Sequence, residues 1–261
     1  MPASRSPSPS SDSDVLGIST SLIPEREAKP AATTTITFDN LLPPSRPLIL
    51  HEDLQEGCGG QLWPAGMVLS KYMLQYHKTG LQDKTVVEIG AGGGLVGLAV
   101  ALGCELGLPE HGNRKLCITD QIPMLALMKK NIALNQLEGK VDARVYDWGA
   151  PPPVEILQRS TDSATTPHHH PDVVLAADCV YFEPAFPLLL HTLGDLIGPH
   201  TVCYFCFKKR RKADMRFIRD MMKKFAVEFI DYDGREADQR QGIFLYQVRA
   251  KITSNSYNKK K

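Results

Sequence analysis

Residues 86–97 read VVEIGAGGGLVG and join an apolar run to a glycine-rich turn and the start of a helix. The run Val86 to Ile89 predicts a buried parallel strand, because a short apolar segment before a turn is typical of one. The glycines let the backbone approach a ligand where any Cβ atom would clash, and the helix that follows presents free N–H groups to that ligand. The stretch therefore predicts one wall of a nucleotide-type pocket.

The hydrophobic pattern around this stretch alternates between strand and helix periods. It predicts two early strands at 33–38 and 48–50, followed by a helix at 67–77. Five further strands alternate with four helices. The strands are predicted at 86–89, 115–119, 141–146, 172–177 and 201–207, and the helices at about 94–106, 122–135, 185–197 and 213–225. Such alternation implies right-handed βαβ units and a mostly parallel, doubly wound sheet. Two last strands, 226–232 and 243–248, follow without a helix between them, so we expect an antiparallel hairpin at the sheet edge.

The composition is that of an ordinary globular protein, with 43% hydrophobic and 23% charged residues and a net charge of +1 among 261 residues. The net charge excludes a global electrostatic argument for nucleic acid or for an anionic membrane. No apolar stretch approaches the roughly 20 residues that span a bilayer, and no signal-peptide pattern is present, so we expect a cytoplasmic protein that does not bind a membrane. We also expect a monomer.

We expect one domain at 33–252, with a disordered Ser/Pro-rich tail at 1–32 and a basic tail at 253–261. Two polar, proline-containing insertions, 108–114 and 150–171, interrupt the alternation and are predicted to be surface loops.

We predict no metal site, although a C-x-x-C pair and a histidine run are present. Cys203 and Cys206 lie three apart in a predicted strand, so their side chains point to opposite faces of the sheet. The run His168 to His170 is interpreted as a solvated part of a loop.

The glycine-rich turn is compatible with two cofactors. Gly92, Gly94 and Gly97 match the dinucleotide fingerprint G-x-G-x-x-G, so an NAD-dependent dehydrogenase is one hypothesis. The acid Glu88 favours the other, since a pyrophosphate charge within about 4 Å of it would cost on the order of 4 kcal/mol at an effective dielectric of 20. S-adenosylmethionine instead brings an ammonium and a sulfonium, which an acid attracts.

Further polar residues follow the later strands at the same predicted edge of the sheet. Asp120 can accept the two ribose hydroxyls of either cofactor. Asp147 can accept an adenine amino hydrogen, and the indole of Trp148 can cover the adenine face. The fourth of the alternating strands ends before Asp178 and Tyr181, which can face the transferable group; the structural alternative is that Asp178 caps the following turn.

Together these residues resemble the seven-stranded methyltransferases that use S-adenosylmethionine, and more narrowly the protein-lysine methyltransferases with a D-x-x-Y motif. The segment WPAG, which begins at Trp63, resembles an early segment of that family. The resemblance implies a Rossmann-like fold, Asp178 and Tyr181 at the lysine-binding edge, and a set of cofactor contacts. Those contacts are Trp63, Gly90, Ala91, Gly92, Asp120, Trp148 and Ala177.

Residues 178–186 and 207–214 are similar to a fungal branch of that family, whose members modify a lysine of translation elongation factor 1-alpha. From this resemblance we expect Asp178 to bind and orient a lysine amine, and Tyr181 to wall its channel. Three alternatives stay open: the NAD-dependent oxidoreductase, an RNA methyltransferase suggested by the basic run Lys208 to Lys212, and a non-catalytic interaction module.

Overall fold

The computed structural model describes residues 31–54, 60–107, 116–157 and 170–251. The predicted insertion 108–114, the basic tail 253–261, and all but the last two residues of the N-terminal tail lie outside these ranges, as do His168 and His169.

Nine strands are present in the described ranges. In chain order they are β1 (Ala32–Ile36), β2 (Leu48–Glu52), β3 (Val86–Ile89), β4 (Leu116–Asp120), β5 (Val141–Val145), β6 (Val173–Ala177), β7 (Val202–Lys208), β8 (Phe225–Phe229) and β9 (Ile243–Ala250). β1 and β2 form a separate antiparallel pair, and the other strands form one seven-stranded sheet in the order β5-β4-β3-β6-β7-β9-β8.

Helices connect most of these strands. They are α1 (Pro64–Tyr76), α2 (Leu95–Gly103), α3 (Ile122–Leu134), α4 (Val154–Leu157), α5 (Phe186–Leu196), α6 (Lys212–Lys224) and α7 (Arg235–Arg240), with a 3-10 turn at Glu183–Ala185 before α5. None of the helices in the described ranges is long and apolar enough to cross a membrane.

The predicted fold class is confirmed. Strands β3 to β7 pair in parallel, and β9 pairs antiparallel with both β7 and β8. The last strand is therefore inserted between its two neighbours, and β8 forms the edge. Most predicted element ends differ from the observed ones by one to three residues, a shift expected where helix and strand ends fray.

The prediction that no helix separates the last two strands is wrong, because α7 lies between β8 and β9. The sequence of α7 is READQR, which has no apolar side to mark a helical period, and none of its residues is buried. Gly234 precedes it with a φ of 92°. The predicted loop 150–171 likewise contains the short helix α4, in which Ile156 is buried.

Two asparagines, one on α3 and one directly after its last residue, attach the small β1/β2 sheet to the main domain. Asn131 accepts a hydrogen bond from the His51 N–H at 2.8 Å and donates to the His51 carbonyl at 3.1 Å and the Gly93 carbonyl at 2.9 Å. One helical turn later, Asn135 makes the same pair of bonds with Ile49, at 2.8 and 2.7 Å. Each side-chain amide thus makes with one residue of β2 the two hydrogen bonds that a neighbouring strand would otherwise make.

The core lies on both faces of the main sheet, and the residues of β7 show how they divide. Cys203 packs with the cluster that contains Phe205 and Phe217, whereas Cys206 packs with the cluster that contains Leu245 on the other face. The two thiols point to opposite faces, as the strand period predicts.

We expect Asn131→Ala to lower the free energy of unfolding by about 2–3 kcal/mol, because one buried and two partly buried hydrogen bonds are lost and backbone groups of His51 and Gly93 lose this partner. Urea unfolding followed by circular dichroism measures this change. Lys130→Ala, at an exposed position of the same helix, is the matched control. Equal midpoints for the two variants would contradict the role assigned to the asparagine.

Candidate functional site

A cavity of about 640 Å³ opens at the carboxyl ends of β3, β4, β6 and β7. Nine of the residues predicted for the site line it: Trp63, Gly90, Ala91, Gly92, Asp120, Trp148, Ala177, Asp178 and Tyr181. Both tryptophans of the chain therefore lie at one site, although 85 residues separate them in the sequence. The size is within the usual range of small-molecule sites, roughly 300–1,000 Å³.

The glycine-rich turn after β3 adopts backbone angles that favour glycine. Gly90, Gly92 and Gly94 have φ values of 59°, 55° and 88°. A Cβ atom on Gly90 would lie 2.9 Å from the ring of Trp148 and 3.0 Å from the Cys179 sulfur. The absence of side chains here keeps this side of the cavity open to a ligand.

The start of α2 explains the position of Glu88. The Gly97 N–H donates to its Oε2 at 2.7 Å, and a Cβ atom on Gly97 would lie 2.8 Å from that oxygen. Glu88 lines the cavity, but it is 2% exposed, and this burial raises its pKa to about 8. The carboxyl is therefore mostly neutral at pH 7, and it accepts a backbone N–H of the first turn of α2.

This protonation state corrects the electrostatic argument made from Glu88. A neutral carboxyl at pH 7 does not by itself repel a pyrophosphate, so the choice between cofactors cannot rest on its charge.

Asp120 connects the end of β4 to the glycine-rich turn. Its Oδ2 accepts a hydrogen bond from the Gly92 N–H at 2.7 Å, and its Oδ1 accepts one from the Gln121 N–H at 2.7 Å. Burial raises its pKa, an effect that these two backbone bonds oppose. Each carboxylate oxygen can accept a second bond, so Asp120 retains acceptors for a ligand that enters beside the turn.

The two neighbouring residues that the sequence predicts beside an adenine ring differ in their positions. Trp148 lines the cavity and lies against Gly90, whereas Asp147 is exposed and is absent from the cavity wall. On β6, Ala177 lines the cavity, and Ala176 is fully buried in the core on the opposite face.

Asp178 follows β6 with a φ of 53°, a left-handed conformation that aspartate tolerates better than most residues. Its Oδ2 accepts from the Ala65 N–H at 3.2 Å, and its Oδ1 accepts from the Lys208 N–H at 2.9 Å. These bonds hold the carboxylate between α1 and β7 and fix its orientation at the cavity. Tyr181, by contrast, is 48% exposed at the cavity mouth.

Arg210 is a site residue that sequence reasoning missed. Its Nη1 donates to Asp178 Oδ1 at 3.0 Å, and its guanidinium carbon lies 5.0 Å from the ring centroid of Trp63. In the sequence it lies inside the basic run 208–212, which hides it among surface charges. The signal that could have found it is its place just after β7, the strand next to β6.

The lining residues carry an excess of acids. Glu88, Asp120 and Asp178 face the cavity, and Arg210 is the sole cation among the lining residues that the structure describes. With Glu88 neutral, two carboxylates oppose one guanidinium. This balance favours a positively charged ligand over a pyrophosphate.

A mostly parallel seven-stranded sheet with one inserted antiparallel strand, and a glycine-lined cavity at its strand ends, define a Rossmann-like methyltransferase. The sequence profile of the family described as "Lysine methyltransferase" matches residues 43–224. The chain belongs to this family, and it is a protein-lysine methyltransferase. This result decides against the dehydrogenase and the non-catalytic module.

Relatives with assigned names agree with the family. Protein-lysine N-methyltransferase EFM6 of Saccharomyces cerevisiae is 35% identical over 244 residues, which are 87% of this chain and 95% of that protein. EEF1A lysine methyltransferase 3 of Mus musculus is 34% identical over 74% of this chain and 73% of its own length. Protein N-lysine methyltransferase METTL21A of Danio rerio is 33% identical over 69% and 74%.

Among solved structures, the 16S rRNA methyltransferase RsmC of T. thermophilus matches with a TM-score of 0.50 and 13% identity, over 85% of this chain and 50% of that chain. This likeness supports the fold alone.

The family depends on S-adenosylmethionine, and the residues of this cavity fit that cofactor. The open glycine-rich turn, the acceptors of Asp120 and the indole of Trp148 offer a backbone surface, a hydroxyl partner and an aromatic face. The excess of acids suits a ligand with a sulfonium and an ammonium.

The pKa of Glu88 predicts a pH dependence of stability. Because the folded-state pKa of about 8 exceeds the ordinary value of 4.5, the folded protein binds this proton more tightly than the unfolded chain does. The resulting stabilisation is complete below pH 4.5 and is lost as the pH rises toward 8.

Glu88→Gln should therefore weaken the fall in stability between about pH 5 and pH 8, because the amide stays neutral and can still accept from Gly97. Urea unfolding of the cofactor-free protein at several pH values tests this. Asp83→Asn, which neutralises an exposed carboxylate, should retain the fall. Identical pH profiles for wild type and Glu88→Gln would exclude the assigned protonation.

We expect Asp120→Asn to weaken S-adenosylhomocysteine binding by about 10- to 100-fold, because a hydrogen bond to a charged group contributes about 1.5–3 kcal/mol. Isothermal titration calorimetry measures the affinity. Asp147→Asn, at the exposed carboxylate outside the cavity, is the matched control and should bind as the wild type does. Unchanged affinity in Asp120→Asn would remove this residue from the cofactor site.

Proposed function

We propose that this protein methylates a lysine of translation elongation factor 1-alpha. The observation that carries the proposal is the position of Asp178, a carboxylate with a side chain only 4% exposed, at the wall of the same cavity as the glycine-rich turn. A buried carboxylate beside a methyl-donor site suits a cationic amine as the acceptor.

The choice of protein substrate is supported by the relatives. Two relatives, one from Mus musculus and one from Xenopus tropicalis, are both named EEF1A lysine methyltransferase 3. EFM6, which this chain matches over 95% of that protein's length, is named as a protein-lysine methyltransferase. The short connection between β6 and α5, which carries Asp178 and Tyr181, forms the acceptor side of the cavity.

S-adenosylmethionine supplies a methyl group on a positively charged sulfur, and the protein's own residues align the acceptor. Asp178 binds and orients the lysine amine, because its two backbone hydrogen bonds hold the carboxylate in one direction. Alignment is the main contribution that the protein makes to a displacement of this kind.

The acceptor amine must lose a proton before it attacks. A free lysine amine has a pKa near 10.4, and burial disfavours its charged form. The rings of Tyr181 and Phe182 at the mouth can cover the aliphatic part of the lysine side chain and exclude water from the amine. Tyr181 thus walls the channel that Asp178 closes at its inner end.

Cytoplasmic localisation and a monomeric state belong to the same proposal. Translation elongation factors act in the cytoplasm, and one chain alone supplies nine predicted site residues to the cavity wall.

We expect Asp178→Asn to reduce methylation of elongation factor 1-alpha by at least about 100-fold, because the amide does not attract the amine and the alignment is lost. Affinity for S-adenosylhomocysteine should stay close to that of the wild type. Mass spectrometry of the reacted factor measures the methylated lysine, and calorimetry measures the affinity.

Asp220→Asn, which changes an exposed carboxylate on α6, is the control and should turn over as the wild type does. Unchanged turnover in Asp178→Asn would remove the carboxylate from the mechanism. Absence of methylation by the wild type, together with unchanged methylation of the factor in cells that lack the protein, would refute the substrate.

A further inference from the structure

The guanidinium of Arg210 is bound to Asp178, the carboxylate to which the proposed function assigns the substrate amine. It pairs with Asp178 at 3.0 Å, lies over the ring of Trp63, and donates to the Lys208 carbonyl at 3.1 Å. Its side chain is 28% exposed, whereas that of Asp178 is 4% exposed. Arg210 is therefore the more exposed partner of this ion pair.

The acceptor capacity of Asp178 is nearly filled in this arrangement. Oδ1 accepts from the Lys208 N–H and from Arg210, and Oδ2 accepts from the Ala65 N–H. A carboxylate offers about four acceptor sites, so about one is left, on Oδ2. A lysine ammonium, which is also a cationic donor, would meet the like charge of the guanidinium at this position.

We propose that Arg210 occupies the amine-binding position of Asp178 in the free enzyme and that the substrate lysine must displace it. This inference rests on the proposed function, because it takes a lysine side chain as the acceptor. Arg210 is then a specificity-determining residue: an acceptor enters only if its other contacts compensate for the loss of the Arg210 bonds.

The local structure permits such a displacement. The backbone of Arg210 is held in place, since its N–H donates to Asp214 Oδ2 at 2.8 Å. Only the side chain has to move, and it is already partly exposed. Because one cation replaces another during this exchange, the buried carboxylate of Asp178 has a charged partner before and after it, which avoids the high cost of an unpaired buried charge.

The displacement has a measurable consequence for affinity. When only a fraction of the protein is competent to bind, the apparent affinity falls by that fraction. Removal of the Arg210 side chain should therefore strengthen the binding of any small ammonium ion that reaches Asp178. Two backbone N–H groups, those of Ala65 and Lys208, still hold the carboxylate in such a variant.

The test uses these two amides as reporters in the full-length protein loaded with S-adenosylhomocysteine. n-Butylammonium, which mimics a lysine side chain, is titrated while ¹H–¹⁵N spectra follow the Ala65 and Lys208 signals. In Arg210→Gln, the dissociation constant should be at least about threefold smaller than in the wild type. Arg210→Lys, which keeps the charge without the forked donors, should give an intermediate value.

Lys209→Gln removes the same charge one position earlier, at an exposed side chain outside the cavity, and should match the wild type. In steady-state assays with elongation factor 1-alpha, Arg210→Gln should lower KM. An equal or larger dissociation constant in Arg210→Gln, or a higher KM with a lower kcat, would overturn the proposal and make Arg210 a positioning residue.

The two proposals can fail separately. If the elongation factor is not methylated but the amide signals respond as expected, the substrate assignment fails and the competition at Asp178 stands. If the factor is methylated and the dissociation constants are equal, the proposed function stands and the role of Arg210 as a competitor fails.

Discussion

The reversal of strand order at β3 is the constraint on which the rest of the site depends. β3 pairs with β4 on one side and with β6 on the other. From β3 the sheet is built outward through β4 to β5, and from β6 it is built outward in the opposite direction to β7. A crevice opens at the carboxyl ends of the strands where these two directions diverge. The glycine-rich turn follows β3 directly into this crevice. Asp120 enters it from β4 and Asp178 from β6, because parallel strands end at the same edge.

The charges in the crevice form one balanced system. Burial keeps Glu88 mostly neutral at pH 7, where its carboxyl accepts the N–H of Gly97 at the start of α2. Asp120 holds the turn through Gly92, and Asp178 is paired with Arg210. The cavity favours cations, since its remaining carboxylates outnumber the one guanidinium among its described lining residues.

Features that depend on residues close together in the chain are predicted correctly. Local periodicity and the residues that end a strand predict the strand at 86–89, the acids that follow the next strands, and the order of elements. The structure contains all three. α7 was missed because its polar sequence has no apolar period. The charge of Glu88 was misjudged because its burial depends on α2 and β4, which pack around it.

The sequence by itself determined the fold class, the family and nine of the residues that line the cavity, because each is marked by a periodicity, a glycine or a motif that neighbouring residues define. Only the tertiary structure decided which groups touch. Asp178 bonds to Ala65, 113 positions away, and to Arg210, 32 positions away, across three different elements. Such contacts depend on strand pairing and on the packing of α1 against the sheet, and the spacing of residues along the chain does not predict them.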